Sequence, residues 1–170
     1  HERDLVSIAR LGRKWHGEAF NVENEQEFDF TVPDIVTTSP VTVAVSAAAY
    51  SDIASSMTVA ANAASVGALS FSASTSTSHN LGADGTGNLS TFNAAGSEIT
   101  IKLTYNNNGN PSANAWLDYI VLQAKRNLRG NGKQFRFRLN SAGSSTGVLQ
   151  YDVTNASSIA EVWDITDIYN

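Results

Sequence analysis

Three groups of side chains in this sequence are of types that do chemistry. The first is acidic: Glu23, Glu25 and Glu27 alternate along "NVENEQEFDF". Two carboxylates at a fixed separation can act as acid and base in glycoside hydrolysis. This run, however, stays polar until Phe28, which reads as a solvated loop and not as the wall of a cleft. The second group is the histidines His1, His16 and His79. No two of them have zinc-site spacing, and no H-E-x-x-H is present. His79 sits in a polar stretch and His16 follows Trp15, so both are expected as ordinary exposed or half-buried residues. The third group is the tryptophans Trp15, Trp116 and Trp163. Exposed Trp and Tyr can stack on sugar rings, and Trp15, Trp163 and Tyr50 are the candidates for such a platform. The competing reading packs each indole at a sheet end, the commoner fate of Trp. Trp116 opens the most apolar stretch of the chain and is expected in the core.

Other chemistry is narrowed by what the sequence lacks. It has no cysteine, which removes thiolate nucleophiles, thiolate metal sites and disulfides. No G-x-S-x-G elbow, P-loop or dinucleotide fingerprint occurs, so a Ser-His-Asp triad has no motif behind it. "NLGADGTGN" around Asp84 is rich in oxygen ligands, but it supplies one carboxylate where a tight calcium site has several. The expectation is therefore no catalytic residue, no metal and no other cofactor, with a structural calcium left open.

The elements that must position these residues follow from alternation, the signature of half-buried strands. Phe28, Phe30 and Val32 share one face of "EFDFTVP"; Val41, Val43 and Val45 share one of "PVTVAVSA". The period continues with Met57, Val59 and Ala61, with Leu69, Phe71 and Ala73, and with Ile99, Ile101, Leu103 and Tyr105. It resumes in "KQFRFRL" (Phe135, Phe137, Leu139) and "GVLQYDV" (Leu149, Tyr151, Val153), and Val162 to Ile165 reads as a last strand with Trp163 on one face. "AWLDYIVLQAKR" is apolar on both faces, as a central strand would be. No stretch keeps a helical period. Asn108-Gly109 is a hairpin-type turn signal in a longer loop, and Gly130-Asn131-Gly132 is a second turn. Residues 75–96 are rich in Ser, Thr, Gly and Asn and read as one long loop holding at most a short strand. The fold expected is all-β: an antiparallel two-sheet β-sandwich, jelly-roll-like, over residues 1–170 as a single domain.

Length and charge agree. At 170 residues the chain can bury a core without staples, and charged residues, at 16%, fall below the usual quarter. A net charge of -5 speaks against nucleic acid as the main partner. The basic group Lys125, Arg126, Arg129, Lys133, Arg136 and Arg138 reads as the solvated face of a hairpin. No apolar run reaches the roughly 18 residues of a membrane span.

Five segments taken together resemble a known family in order. They are "GRKWHGEAF" (Gly12 to Phe20), "FDFTVP" (Phe28 to Pro33), "TYNNNGNPSANAWLDYIVLQAKRNL" (Thr104 to Leu128), "KQFRFR" (Lys133 to Arg138) and "VWDITD" (Val162 to Asp167). The set is similar to a β-rich region N-terminal to the peptidase domain of the type IX secretion sortase (PorU) family of Bacteroidetes, relatives of the gingipain cysteine peptidases. One departure is Ile168, where the pattern would have Pro. The resemblance implies a fragment that precedes a C-terminal cysteine-peptidase domain, in an exported protein of the bacterial cell surface and outer membrane. It implies an outer-membrane barrel partner (PorV-like) and secreted cargo, handled through the full-length protein. The catalytic Cys and His of the family belong to the downstream domain, so no catalytic residue transfers to this chain. A free-standing carbohydrate-binding module is the alternative, for which Trp15, Trp163 or Tyr50 would form the platform.

Overall fold

A computed structural model describes residues 1–8, 14–74, 83–85 as backbone, and 90–165. The chain forms two units, His1–Lys125 and Arg126–Asn170.

Every described strand lies in the first unit. In chain order these are β1 (Ala19–Phe20), β2 (Glu25–Thr31), β3 (Val41–Tyr50), β4 (Ser55–Ala61) and β5 (Ala64–Phe71). They are followed by β6 (Ala83–Gly85), β7 (Ser90–Phe92), β8 (Glu98–Asn106) and β9 (Asn114–Gln123). One sheet runs β1-β9-β3-β6 with β7 also paired to β3; the other runs β2-β8-β4-β5. All these pairings are antiparallel. β6 and β7 pair with successive stretches of β3, at Ala47 to Ala49 and Val41 to Val43, and so act as one interrupted strand. Counted that way, the sheets hold the first, eighth, third and sixth strands and the second, seventh, fourth and fifth. That is the order of a jelly roll.

The alternation read from the sequence explains the core. Val41, Val43 and Val45 on β3 turn inward, as do Met57 on β4, Leu69 and Phe71 on β5, and Ile99, Ile101, Leu103 and Tyr105 on β8. β-branched and aromatic side chains on a pleated surface suit this packing. The Tyr105 hydroxyl is satisfied by Ser55 Oγ at 3.0 Å, which removes the cost of burying it.

The turns carry their own chemistry. Asn62 and Ala63, both at positive φ (46° and 67°), join β4 to β5 in two residues, the geometry of a primed hairpin turn. Asn108 (φ 53°) and Gly109 (φ 83°) also take positive φ, and Asn110 N–H donates to the Asn107 carbonyl at 3.0 Å. The turn therefore forms where Asn-Gly predicts it, but the strands it connects, β8 and β9, lie in different sheets. It is a crossover and not a hairpin.

Several expectations are corrected. Glu25 and Glu27 belong to β2, which begins three residues before Phe28; as an edge strand it keeps its outward face in water, so polar residues do not delay it. Within residues 75–96 two short strands form, β6 and β7; His79 and the side chain of Asp84 lie outside the described residues. Trp116 is not a core residue. Asp118 is the extra residue of a β-bulge between Ser46 and Ala47, and the bulge resets the alternation of β9. Ala115, Leu117 and Ile120 turn inward, while Trp116, Tyr119 and Val121 turn outward.

The second unit has no strand among its described residues, although "KQFRFRL", "GVLQYDV" and Val162 to Ile165 alternate as strands do. Alternation reports which side chains share a side, and Phe137 does meet Phe135 and Tyr151, with ring centroids 6.3 and 5.2 Å apart. A strand also requires a hydrogen-bonded ladder, and here one parallel bridge, Arg129 to Thr154, is formed. Arg126 covers the Phe135 ring with its guanidinium, 4.8 Å from the centroid. Among the described residues no helix is long and apolar enough to cross a membrane.

Candidate functional site

The two outer faces of the jelly roll differ. On the β2-β8-β4-β5 sheet the outward residues form a polar lattice. Lys102 Nζ meets Glu25 Oε2 at 2.7 Å, Thr100 Oγ1 donates to Asp29 Oδ1 at 2.6 Å, and Thr31 Oγ1 to Glu98 Oε2 at 2.8 Å. The hydrogen bond and charge of Lys102 hold the Glu25 carboxyl below the usual carboxylate range, and the Lys102 ammonium is raised by the same contact. On the β1-β9-β3 sheet the outward residues are large on β9 and small on β3 beside it. Trp116 stands opposite Ala48, Tyr119 opposite Ser46, and Val121 opposite Ala44. The bulge is tied by Ser46 Oγ, which donates to Asp118 Oδ2 at 2.9 Å.

This second face ends at a cavity of about 240 Å³ lined by Tyr50, Ser51, Asp52, Ser74, Asn110 and Ser112. Three chain segments far apart in sequence build it: the end of β3 with the following loop, the residues just after β5, and the β8–β9 loop. They are pinned to one another. Ser74 N–H donates to the Ser51 carbonyl at 2.7 Å, and Ser74 Oγ accepts from Ser51 N–H at 3.2 Å. The Asn110 carboxamide nitrogen donates to Asp52 Oδ1 at 2.5 Å and to Ser51 Oγ at 3.2 Å, while its oxygen accepts from Ser112 N–H at 3.0 Å. Ser51 and Ser74 form a buried floor, Asn110 a half-buried wall, and Tyr50, Asp52 and Ser112 the exposed sides. A second, wider cavity of about 520 Å³ lies across the β8–β9 loop, among Asn21, Val22, Asn24, Asn107, Pro111 and Asn114.

Of the three residues proposed from sequence, Tyr50 lines the first cavity with 37% of its surface exposed. Trp15 is 45% exposed on the segment before β1 and does not line either cavity. Trp163 belongs to the second unit, where it is 76% exposed and its indole N–H donates to Glu161 Oε2 at 2.9 Å. His16 is more deeply buried than expected, at 4%. Sequence reasoning did not find Ser51, Asp52, Ser74 and Asn110. The one available signal was the asparagine run 106–110, which reads locally as turn chemistry. Among the described residues, no group of three or more acidic or histidine side chains is placed to hold a metal ion.

The class defined by these observations is a jelly-roll sandwich with a loop-built polar cavity at one end. No protein-family model matches the sequence, and a search of curated proteins finds no match. Among solved structures the chain is similar to dimeric latent PorU from Porphyromonas gingivalis, with a TM-score of 0.65 and 23% identity. That similarity covers 78% of this chain and 13% of the other, so the chain spans a small part of the PorU polypeptide. The chain also resembles, at lower scores, two carbohydrate-binding modules. One is a CBM36 module solved with calcium and xylotriose (TM-score 0.46, 13% identity, 66% of this chain and 85% of that one). The other is the CBM36-1 domain of a multidomain xylanase from the hindgut metagenome of Trinervitermes trinervoides (TM-score 0.47, 12% identity, 72% and 85%). The likeness to PorU is one of fold.

Proposed function

We propose that this chain is a noncatalytic accessory region of a cell-surface type IX secretion sortase of the PorU kind. In this reading the full-length protein removes C-terminal secretion signals from cargo and attaches the cargo to the surface. The chemistry belongs to a downstream cysteine-peptidase domain, and residues 1–170 contribute binding and positioning. The observation that carries the reading is where the resembling segments fall in the fold. "GRKWHGEAF" leads into β1, "FDFTVP" ends β2, and "TYNNNGNPSANAWLDYIVLQAKRNL" runs from the end of β8 through the cavity loop and the whole of β9. They fall on β1, β2, β8 and β9 and on the cavity loop, in a jelly roll whose fold PorU shares.

The corresponding location is the outer surface of a bacterial outer membrane. The partners are secreted cargo and a PorV-like outer-membrane barrel. Cross-linking mass spectrometry on intact envelopes of the source bacterium tests this, through Lys102 on the first unit and Lys133 on the second. The expected result is cross-links to a cysteine-peptidase domain in the same polypeptide and to an outer-membrane barrel. Cross-links confined to polysaccharide-degrading enzymes would overturn it.

A further inference from the structure

We infer that the cavity walled by Tyr50 and Asn110 is a binding site for a neutral saccharide, with room for one sugar ring at the end of the outward sheet face. This goes beyond the sortase reading and does not depend on it.

The argument rests on what lines the cavity. Apart from the Tyr50 ring, it presents hydroxyls, one carboxamide and one carboxylate. Among the described residues no Lys, Arg or His lines it, so phosphate, sulfate and carboxylate ligands would meet Asp52 with no counter-charge from them. A single carboxylate is too few for tight divalent-cation binding. The remaining chemistry is that of a polyol ring, with an aliphatic face to lay on an aromatic ring and hydroxyls that both donate and accept. Tyr50 supplies the aromatic face, Asp52 and the Asn110 carbonyl oxygen supply acceptors, and the Ser112 hydroxyl both donates and accepts. A volume of about 240 Å³ falls below the roughly 300–1,000 Å³ of sites for drug-sized ligands, which suits a single ring.

Preorganisation is the second part of the argument. Weak polar ligands lose affinity when the loops that bind them must be ordered first. Here Asn110 bonds to Ser51 and Asp52, and Ser74 bonds to Ser51, so the polar groups are held in place before a ligand arrives. A way onward is also built. Tyr50 stands opposite Asn114, and the next outward pair on the same strands is Ala48 and Trp116. A second ring of a longer saccharide would pass over Asn114 towards the Trp116 indole.

The test is a titration of the isotope-labelled chain, followed by two-dimensional NMR. The probes are cellohexaose, mannohexaose and xylohexaose, with a sulfated oligosaccharide and Ca²⁺ alone as comparisons. At least one neutral hexasaccharide should shift the amide signals of Tyr50, Asp52, Asn110 and Ser112 at millimolar or lower concentrations. Tyr50→Ala should weaken that binding about tenfold, and Ser112→Ala, a rim change that leaves the loop bonds in place, should weaken it by a smaller factor. A Tyr50→Ala spectrum that keeps the signals of Leu103 and Ile120 shows the fold is intact. The inference is overturned if no neutral probe moves these signals. It is also overturned if Ca²⁺ alone reproduces the shifts, if the sulfated probe binds as well as the neutral ones, or if the shifts gather at Trp163.

Discussion

Asn110 donates its carboxamide N–H to Asp52 Oδ1 at 2.5 Å, joining the β8–β9 loop to the β3–β4 loop across 58 residues of sequence. Both loops start from core strands, so the bond transmits the rigidity of the sandwich to its polar end. Asn110→Ala removes this bond, the one to Ser51, and the acceptor for Ser112 N–H. A loss of about 1–3 kcal/mol is expected, because each net hydrogen bond contributes roughly 0.5–1.5 kcal/mol and some loop groups regain water. In a double-mutant cycle with Asp52→Ala, chemical denaturation should give a coupling of about 1 kcal/mol. Additive losses would mean the two loops are held independently.

Ala63 occupies the left-handed region at φ 67°, in a hairpin turn where glycine is ordinarily found. A Cβ there costs roughly 1–2 kcal/mol, and glycine gives back part of that gain through its freer unfolded chain. Ala63→Gly should raise stability by about 0.5–1 kcal/mol, seen as a higher denaturation midpoint with an unchanged slope. A lower midpoint would contradict the turn assignment.

Gly67 on β5 faces Ser90 on β7, where the edges of the two sheets meet. A Cβ added at Gly67 would lie 2.5 Å from Ser90 Oγ and 3.6 Å from Ser90 Cβ. The clash is thus with the hydroxyl alone. Gly67→Ala should lower stability by about 1–3 kcal/mol, as overpacking does, and adding Ser90→Ala should restore most of the loss. Failure of the second change to rescue would show that the two edges are not in contact.

Glu25 and Tyr105 contribute pH dependence of opposite sign. The Lys102 contact lowers the folded pKa of Glu25. Its stabilising share is therefore complete above the unfolded carboxylate value and is lost as pH falls through the lowered folded value. An NMR titration should place the Glu25 midpoint below that of an ordinary glutamate, and Lys102→Met should move it up. Tyr105 is opposite in sign. Burial raises its hydroxyl above the usual phenol range, against the smaller lowering effect of the Ser55 bond. Its protonated form is favoured in the fold, so stability is complete below the unfolded phenol value and declines as pH rises through the raised folded one. Tyr105→Phe should flatten that alkaline decline; an unchanged alkaline profile would mean that Tyr105 does not set it.

The core of the jelly roll could be read in the sequence because burial on one face imposes a period of two, as Ile99, Ile101, Leu103 and Tyr105 show. What could not be read was pairing. Asp118 interrupts β9 with a bulge, so the run from Ala115 to Leu122, apolar on both faces, turned out to be one core row and one exposed row. The Asn62-Ala63 turn lacks the glycine that marks such turns. In "KQFRFRL" the alternation was real as a grouping of Phe137 with Phe135 and Tyr151, yet no ladder formed. The cavity was out of reach for a related reason. Its residues come from three separated segments, and only their hydrogen bonds, such as Ser51 with Ser74, bring them together. Tyr50 was named from the sequence as a candidate platform residue, beside Trp15 and Trp163; its neighbours in the cavity were not.

The measurement that bears most directly on the accessory-region reading is the mass and peptide map of the native polypeptide that carries this sequence. It would be recovered from the source bacterium's envelope with an antibody to residues 1–170. The account predicts a species far heavier than the 18.1 kDa of this chain, with peptides from a Cys- and His-containing peptidase domain in the same polypeptide. A native species close to 18.1 kDa, or a heavier one without such a domain, would contradict it.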